Sequence, residues 1–189
     1  MNKLADKRIR SALKAYLVQS APQAILEEVR VHNGNAIADV VAIDSVAHCY
    51  EIKGEGDVIR RISRQGSYYD VAFLMTTLVT TQNHMRVAME MAPSHWGVLL
   101  ASDLNGEVLF ERIRNAEPSP DFDKRLALLT LWRSELLTLY DFPAVDVKKL
   151  SREKLALKIA DEMPLNHISF HIGNLLLKRQ TNRECSLAM

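Results

Sequence analysis

The chain has 189 residues, room for one substantial core with a small appendage, since domains run about 100–200 residues. Apolar residues make up 48% and charged residues 25%, a globular usage that excludes a mostly disordered, collagenous or fibrous chain. Lys and Arg number 24 against 23 Asp and Glu, and the net charge of +1 excludes a global basic footprint, so any nucleic-acid contact must come from local patches.

From Lys3 to Val18 the apolar residues Leu4, Ile9, Ala12, Leu13, Tyr16 and Leu17 recur at helical spacing, and Pro22 follows as a stop. This predicts an opening amphipathic helix. Glu28 to His32 is strand-like, Asn33-Gly34-Asn35 signals a hairpin turn, and Ala36 to Ile43 is rich in small and β-branched residues. A turn near Asp44-Ser45 leads to a third strand, Ala47 to Lys53. Gly54 and Gly56 break it, and Asp57 is placed to cap a helix whose apolar positions are Ile59, Ile62, Tyr69 and Phe73. Phe73 to Thr80 suits a buried strand, Asn83 to Met91 a helix, and Trp96 to Ser102 another buried strand. Asn105-Gly106 turns the chain into Glu107 to Ile113. The order predicts a mixed sheet flanked by helices, an α/β fold. Beyond Pro118 and Pro120, Phe122 to Tyr140, Ser151 to Glu162 and Leu165 to Arg179 all look helical and no strand signal remains. The expected division is a core over residues 1–117 and an all-helical C-terminal extension over 118–189.

Three basic patches stand out: Lys3, Lys7, Arg8, Arg10 and Lys14; Arg60, Arg61 and Arg64; and Lys148, Lys149, Arg152, Lys154 and Lys158. Each also reads as a solvated helix face. Cys49 and Cys185 make no disulfide framework and no CxxC pair, which fits a reducing compartment. The charged start, Met1 to Arg10, has no following apolar stretch, and no run of ~18 uncharged apolar residues occurs. A cytoplasmic protein with no membrane partner is expected.

Glu51 and Lys53 are two apart in a predicted strand, so both side chains share a face with α-carbons about 7 Å apart, while Ile52 turns to the other. Asp39 lies on the preceding strand, where pairing would bring its carboxylate beside that of Glu51. Two convergent carboxylates and the carbonyl of Ile52 are hard oxygen donors suited to Mg²⁺ or Mn²⁺. A cation so held lowers the pKa of a bound water and polarises a phosphodiester oxygen, and the ammonium of Lys53 stabilises developing charge. An acid-x-Lys triplet is weak by itself, because Asp146-Val147-Lys148 fits it too without an upstream strand carboxylate. Arg61, Gln65 and Tyr69, each four apart, line one face of the next helix. Arg61 suits a phosphate, Gln65 a water or the backbone, and Tyr69 either a hydrogen bond or plain core packing.

Asp39, then Glu51-Ile52-Lys53, then Gln65 on the next helix is a motif order in which the chain resembles the restriction-endonuclease-like PD-(D/E)XK nuclease superfamily, with Glu28 or Glu27 matching its additional acid. More narrowly, it is similar to a bacterial branch of uncharacterised nuclease-like proteins whose motif runs Glu-Ile-Lys, a short acidic loop, Arg-Leu, Gln and Tyr. Here that stretch is Glu51-Ile52-Lys53, Glu55, Asp57, Arg61-Ile62, Gln65 and Tyr69. The likeness continues through Pro93, Trp96-Gly97, Leu131-Trp132-Arg133 and Glu135-Leu136, and so covers most of the chain. It implies a restriction-endonuclease-like core and Mg²⁺-dependent cleavage of a nucleic-acid backbone. Asp39 and Glu51 would bind metal, Lys53 would position or activate water, Gln65 would support the site, and Glu28, Arg61 and Tyr69 would assist. Two positions depart from the branch: Ile37 where an Arg is usual two before the metal Asp, and Leu74 where Asp is usual after Phe73.

The six histidines include no HExxH pair, and His167 and His171, four apart on a predicted helix, have no third ligand in view. Cys49 lacks a base and reads as a packing residue, and Trp96 and Trp132 read as core. No Walker loop or dinucleotide fingerprint occurs. The leading expectation is a nuclease acting on DNA more than RNA. Its helical tail, carrying Lys154, Lys158, Lys178 and Arg179, would contact DNA, form a homodimer or dock a partner. The main rival is a silent module that keeps the fold to bind nucleic acid or protein.

Overall fold

The computed structural model describes residues 4–31, 34–139 and 149–187. The expected control triplet at 146–148 lies outside them, as do Lys3, His32 and Asn33. Six strands form one mixed sheet in chain order: β1 (Ala24–Val31), β2 (Ala36–Ile43), β3 (Ala47–Lys53), β4 (Met75–Thr81), β5 (Gly97–Leu104) and β6 (Glu107–Arg114). β1, β2 and β3 form an antiparallel meander, β3, β4 and β5 run parallel, and β6 returns antiparallel. Each parallel step needs a crossover. These are α2 (Ile62–Ala72), entered by a 3₁₀ turn at Ile59–Arg61, and α3 (Met85–Met91). The α/β expectation is met: a mixed sheet, helices against it and, among the described residues, helices alone in the C-terminal stretch.

α1 (Asp6–Val18) lies on one face of the sheet because Ile9, Leu13 and Leu17 recur every fourth residue and are all buried. They pack with Val40, Ala42, Ile52, Val79, Leu99 and Ala101. Burying each such aliphatic side chain contributes about 1.5–3 kcal/mol. The opposite face, with Val41, Ile43, Cys49 and Leu78, meets α2 and four C-terminal helices: α4 (Lys124–Leu128), α5 (Arg133–Leu139), α6 (Arg152–Glu162) and α7 (Leu165–Leu187). Leu128, Leu131, Leu136, Leu155, Ile159, Ile168 and Ile172 share one apolar cluster with β1, β2 and β3, so the extension past Pro118 and Pro120 is packed into the same core.

Three local expectations are corrected. The single helix expected over 122–140 is two, broken after Leu128. Long-range guanidinium groups take the carbonyls that the break frees: Arg152 donates to Leu129 and Leu131 (2.8 Å for the latter), and Arg179 to Thr130 at 3.3 Å. Asp57 does not cap α2; its carboxylate accepts the Gly54 N–H at 2.7 Å and closes the turn after β3. Trp132 is no core residue: it is 50% exposed, with the Arg179 guanidinium 4.2 Å above its ring.

Candidate active site

The meander is interrupted at one place. β1 and β2 pair on both sides of Glu28 and Asp39, from Ala24↔Ile43 to Glu27↔Val40 and again from Val29↔Ala38, but those two residues do not pair. Glu28 takes a φ of 53°, a left-handed backbone that a non-glycine residue rarely adopts. On the other side of β2, the ladder to β3 ends at Val40↔Tyr50. Asp39 therefore sits at a gap in the pairing with β1 and just past the end of the pairing with β3.

Its side chain fills the gap. Asp39 Oδ2 accepts the backbone N–H of Ile52 at 2.8 Å, replacing the ladder bond that β2 no longer supplies. A strand residue projects its N–H and C=O toward the same neighbour, so the Ile52 carbonyl also faces the edge where Asp39 lies. Across β3, Glu51 is 1% exposed in its side chain and Lys53 8%, and the two form a buried ion pair through Glu51 Oε1. The second oxygen, Oε2, lies 2.7 Å from the Tyr69 hydroxyl, which is also 2.7 Å from the carbonyl of Ile37. A phenol has one proton, so it donates to only one of the two at a time.

Charge crowding leaves its mark. Burial first, and the neighbouring Glu51 second, push Asp39 up to about 7 from an ordinary 3.8, against the Ile52 N–H and the Arg10 guanidinium, which pull it down. Burial and Glu51 together push the Tyr69 phenol far up, so it stays a donor. Gln65 donates to Tyr69 at 3.4 Å, while its own Oε1 is buried without a hydrogen-bond partner. The donor set, two carboxylates with a carbonyl on the same strand edge, suits a hard cation that keeps several waters. The orphaned Gln65 oxygen is an acceptor that such a water would satisfy. Among the described residues no group of three or more His, Cys, Asp or Glu side chains is placed to hold a metal.

The structure thus brings together Asp39, Glu51, Lys53, Ile52, Gln65 and Tyr69. Glu28 joins at one remove, its carboxylate 3.6 Å from Arg10 and 75% exposed. Arg61 does not join: it is exposed and bonds to none of them. Tyr69 is fully buried as well as bonded to Glu51, so both readings of it hold. Cys49 packs in the core, its thiol pushed up by burial, and Trp96 is buried with its N–H on Asp70 at 2.6 Å. His167 and His171 sit on α7 away from any such group of ligands among the described residues.

Sequence reasoning missed Arg10. It was grouped with a basic patch, yet its guanidinium reaches Asp39 Oδ1 at 2.9 Å. Two neighbours in that patch are also paired, Arg8 with Asp103 at 2.8 Å and Lys14 with Glu27. A cleft of about 750 Å³ opens beside Glu28, between β1 and the C-terminal helices, lined by Arg30, Thr130, Trp132, Arg152 and Arg179 among others.

No curated protein matches the chain significantly. Among solved structures it is similar to the SPO1766 protein of unknown function from Silicibacter pomeroyi, at 16% identity over 82% of this chain and 83% of that one, with a TM-score of 0.45. The family model described as bacteriophage P4 protein cII matches residues 2–188, and the chain belongs to that family.

Proposed function

We propose that the chain is a metal-dependent nuclease of the PD-(D/E)XK kind, hydrolysing phosphodiester bonds of a nucleic acid, with DNA the first substrate to test and RNA the second. One observation carries the reading: Asp39 is inserted at a ladder break against the Ile52 N–H, beside Glu51 and Lys53 on the adjoining strand. The element order before β5, a helix, a three-stranded meander and a helix, follows the residue pattern, and a mixed sheet flanked by helices is compatible with the resemblance.

Asp39, Glu51 and the Ile52 carbonyl would hold the Mg²⁺ or Mn²⁺. When bound, that cation supplies Lewis acidity toward a phosphate oxygen and lowers the pKa of a water. Lys53, held by Glu51, presents positive charge to the developing oxyanion in a water-poor site, where such stabilisation is strongest. Tyr69 orients Glu51, and Gln65 offers its free oxygen to a water.

The test is incubation of wild type and Lys53→Ala with supercoiled plasmid, linear duplex, single-stranded DNA and RNA, each with Mg²⁺, Mn²⁺ or EDTA. Metal-dependent cleavage that the variant loses supports the reading and names the substrate. The near-complete burial of Glu51 and Lys53 favours a second reading, a binding module that keeps the fold and does not turn over. Bound metal with no cleavage of any substrate would favour it.

A further inference from the structure

Arg10 bonds both the side chain and the main chain of Asp39 and has no part in the reading above. From α1 it donates to Asp39 Oδ1 at 2.9 Å and to the Asp39 backbone carbonyl at 3.5 Å. One guanidinium thus fixes the side chain and the main chain of the same residue. With the Ile52 N–H on Oδ2, each carboxylate oxygen of Asp39 carries one bond, which leaves lone pairs on both for a cation.

A cation beside a metal site ordinarily opposes metal binding. Here the charge is cancelled locally. Arg10 also bonds Asp6 at 3.2 Å and 3.4 Å and lies 3.6 Å from Glu28. By formal charge, with Asp39 deprotonated as a bound metal would require, the four carboxylates of Asp6, Glu28, Asp39 and Glu51 against the two cations Arg10 and Lys53 leave two negative charges, the complement of one divalent cation.

We propose that Arg10 is a positioning residue of the metal centre, which fixes Asp39 in ligand geometry, and that Asp6 and Glu28 serve to cancel its charge. The proposal rests on the metal-binding part of the nuclease reading. Helix α1 is then part of the site, and Glu28 is an outer carboxylate that acts through Arg10.

Titrating the full chain with Mn²⁺ alone, by calorimetry and by the electron paramagnetic resonance of free Mn²⁺, tests this without any substrate. Arg10→Gln should weaken Mn²⁺ binding roughly 10–100-fold, as losing an outer-shell partner does. The double variant Asp6→Asn/Glu28→Gln keeps the Arg10–Asp39 bond but exposes the metal to an uncancelled charge, and should weaken binding roughly tenfold. Arg8→Gln, on the same helix but paired with Asp103, should bind like wild type. A melt of each variant in EDTA separates fold from site: a purely structural Arg10 would lower the melting temperature and leave affinity unchanged. If Arg10→Gln and the double variant both bind Mn²⁺ like wild type, the proposal is overturned while the nuclease reading stands. If wild type itself binds no Mn²⁺, that reading falls too.

Discussion

Raising the pH should destabilise the fold through Asp39, and a divalent cation should reverse the loss. The carboxylate is pushed up to about 7 in the folded chain and returns to its ordinary 3.8 on unfolding. Between those values the folded state holds a proton that the unfolded state has released, so the Asp39 contribution to stability is largest below about pH 4 and declines as pH rises to about 7, then levels. At 1.36 kcal/mol per pH unit the gap is worth about 4 kcal/mol, an upper value for a group 19% exposed. The assay is urea unfolding followed by circular dichroism in EDTA, at about pH 4.5 to 8, on wild type and Asp39→Asn. Asparagine keeps an oxygen for the Ile52 N–H and carries no charge, so the stability of wild type relative to the variant should fall by about 3–4 kcal/mol across the range. Saturating Mn²⁺ at pH 8 should restore wild type and leave the variant unmoved. A difference constant to within about 0.5 kcal/mol over the whole range would refute the crowded-carboxylate account.

Tyr69→Phe strips the hydroxyl from Glu51 and Ile37 in a fully buried setting and should cost about 2–3 kcal/mol in the same urea assay; under about 0.5 would show that neither bond matters. Gly54→Ala places a Cβ 2.9 Å from the Asp6 nitrogen and the Leu4 oxygen, both backbone atoms, so one segment must move. A loss of about 1–3 kcal/mol with faster proteolysis near the N-terminus is expected, and an unchanged melt would contradict it. Cys49 is buried and its thiol is pushed up, so in a Cys185→Ser background a disulfide reagent should label it only as fast as the chain unfolds. Labelling within seconds under native conditions would place it in a more open environment.

The meander was legible because turn residues bracket alternating β-branched runs; β2 and β3 occupy the very ranges expected, Ala36–Ile43 and Ala47–Lys53. The same-face argument for Glu51 and Lys53 needs only the two-residue period of a strand, and their ion pair follows from it. What escaped notice depends on contacts distant in sequence. Leu126 to Leu137 keeps helical spacing throughout, and only Arg152 and Arg179, reaching back from α6 and α7, end the helix at Leu128 by taking its successors' carbonyls. Arg10 is 29 residues before Asp39, and nothing in a basic helical stretch says which cation will turn inward. Trp132 was placed in the core by its type, whereas that loop leaves one side of the ring to solvent.

The arrangement around Asp39 is expensive. A buried ion pair such as Glu51–Lys53 is often matched or bettered by apolar residues of the same volume, by about 1–4 kcal/mol, and a non-glycine residue held like Glu28 costs about 1–3 kcal/mol. On top of that, one ladder skips Asp39 and another ends beside it. A sheet selected only for stability would continue its pairing and fill the position with the Val and Ala that occupy β2 on either side. The interruption also delivers specific things: an N–H for Oδ2, a carbonyl on the same edge, a carboxylate pair and an ammonium. Strain and buried charge concentrated where hard donors converge are what the proposed cation site would demand of this sheet, whether or not the site turns over.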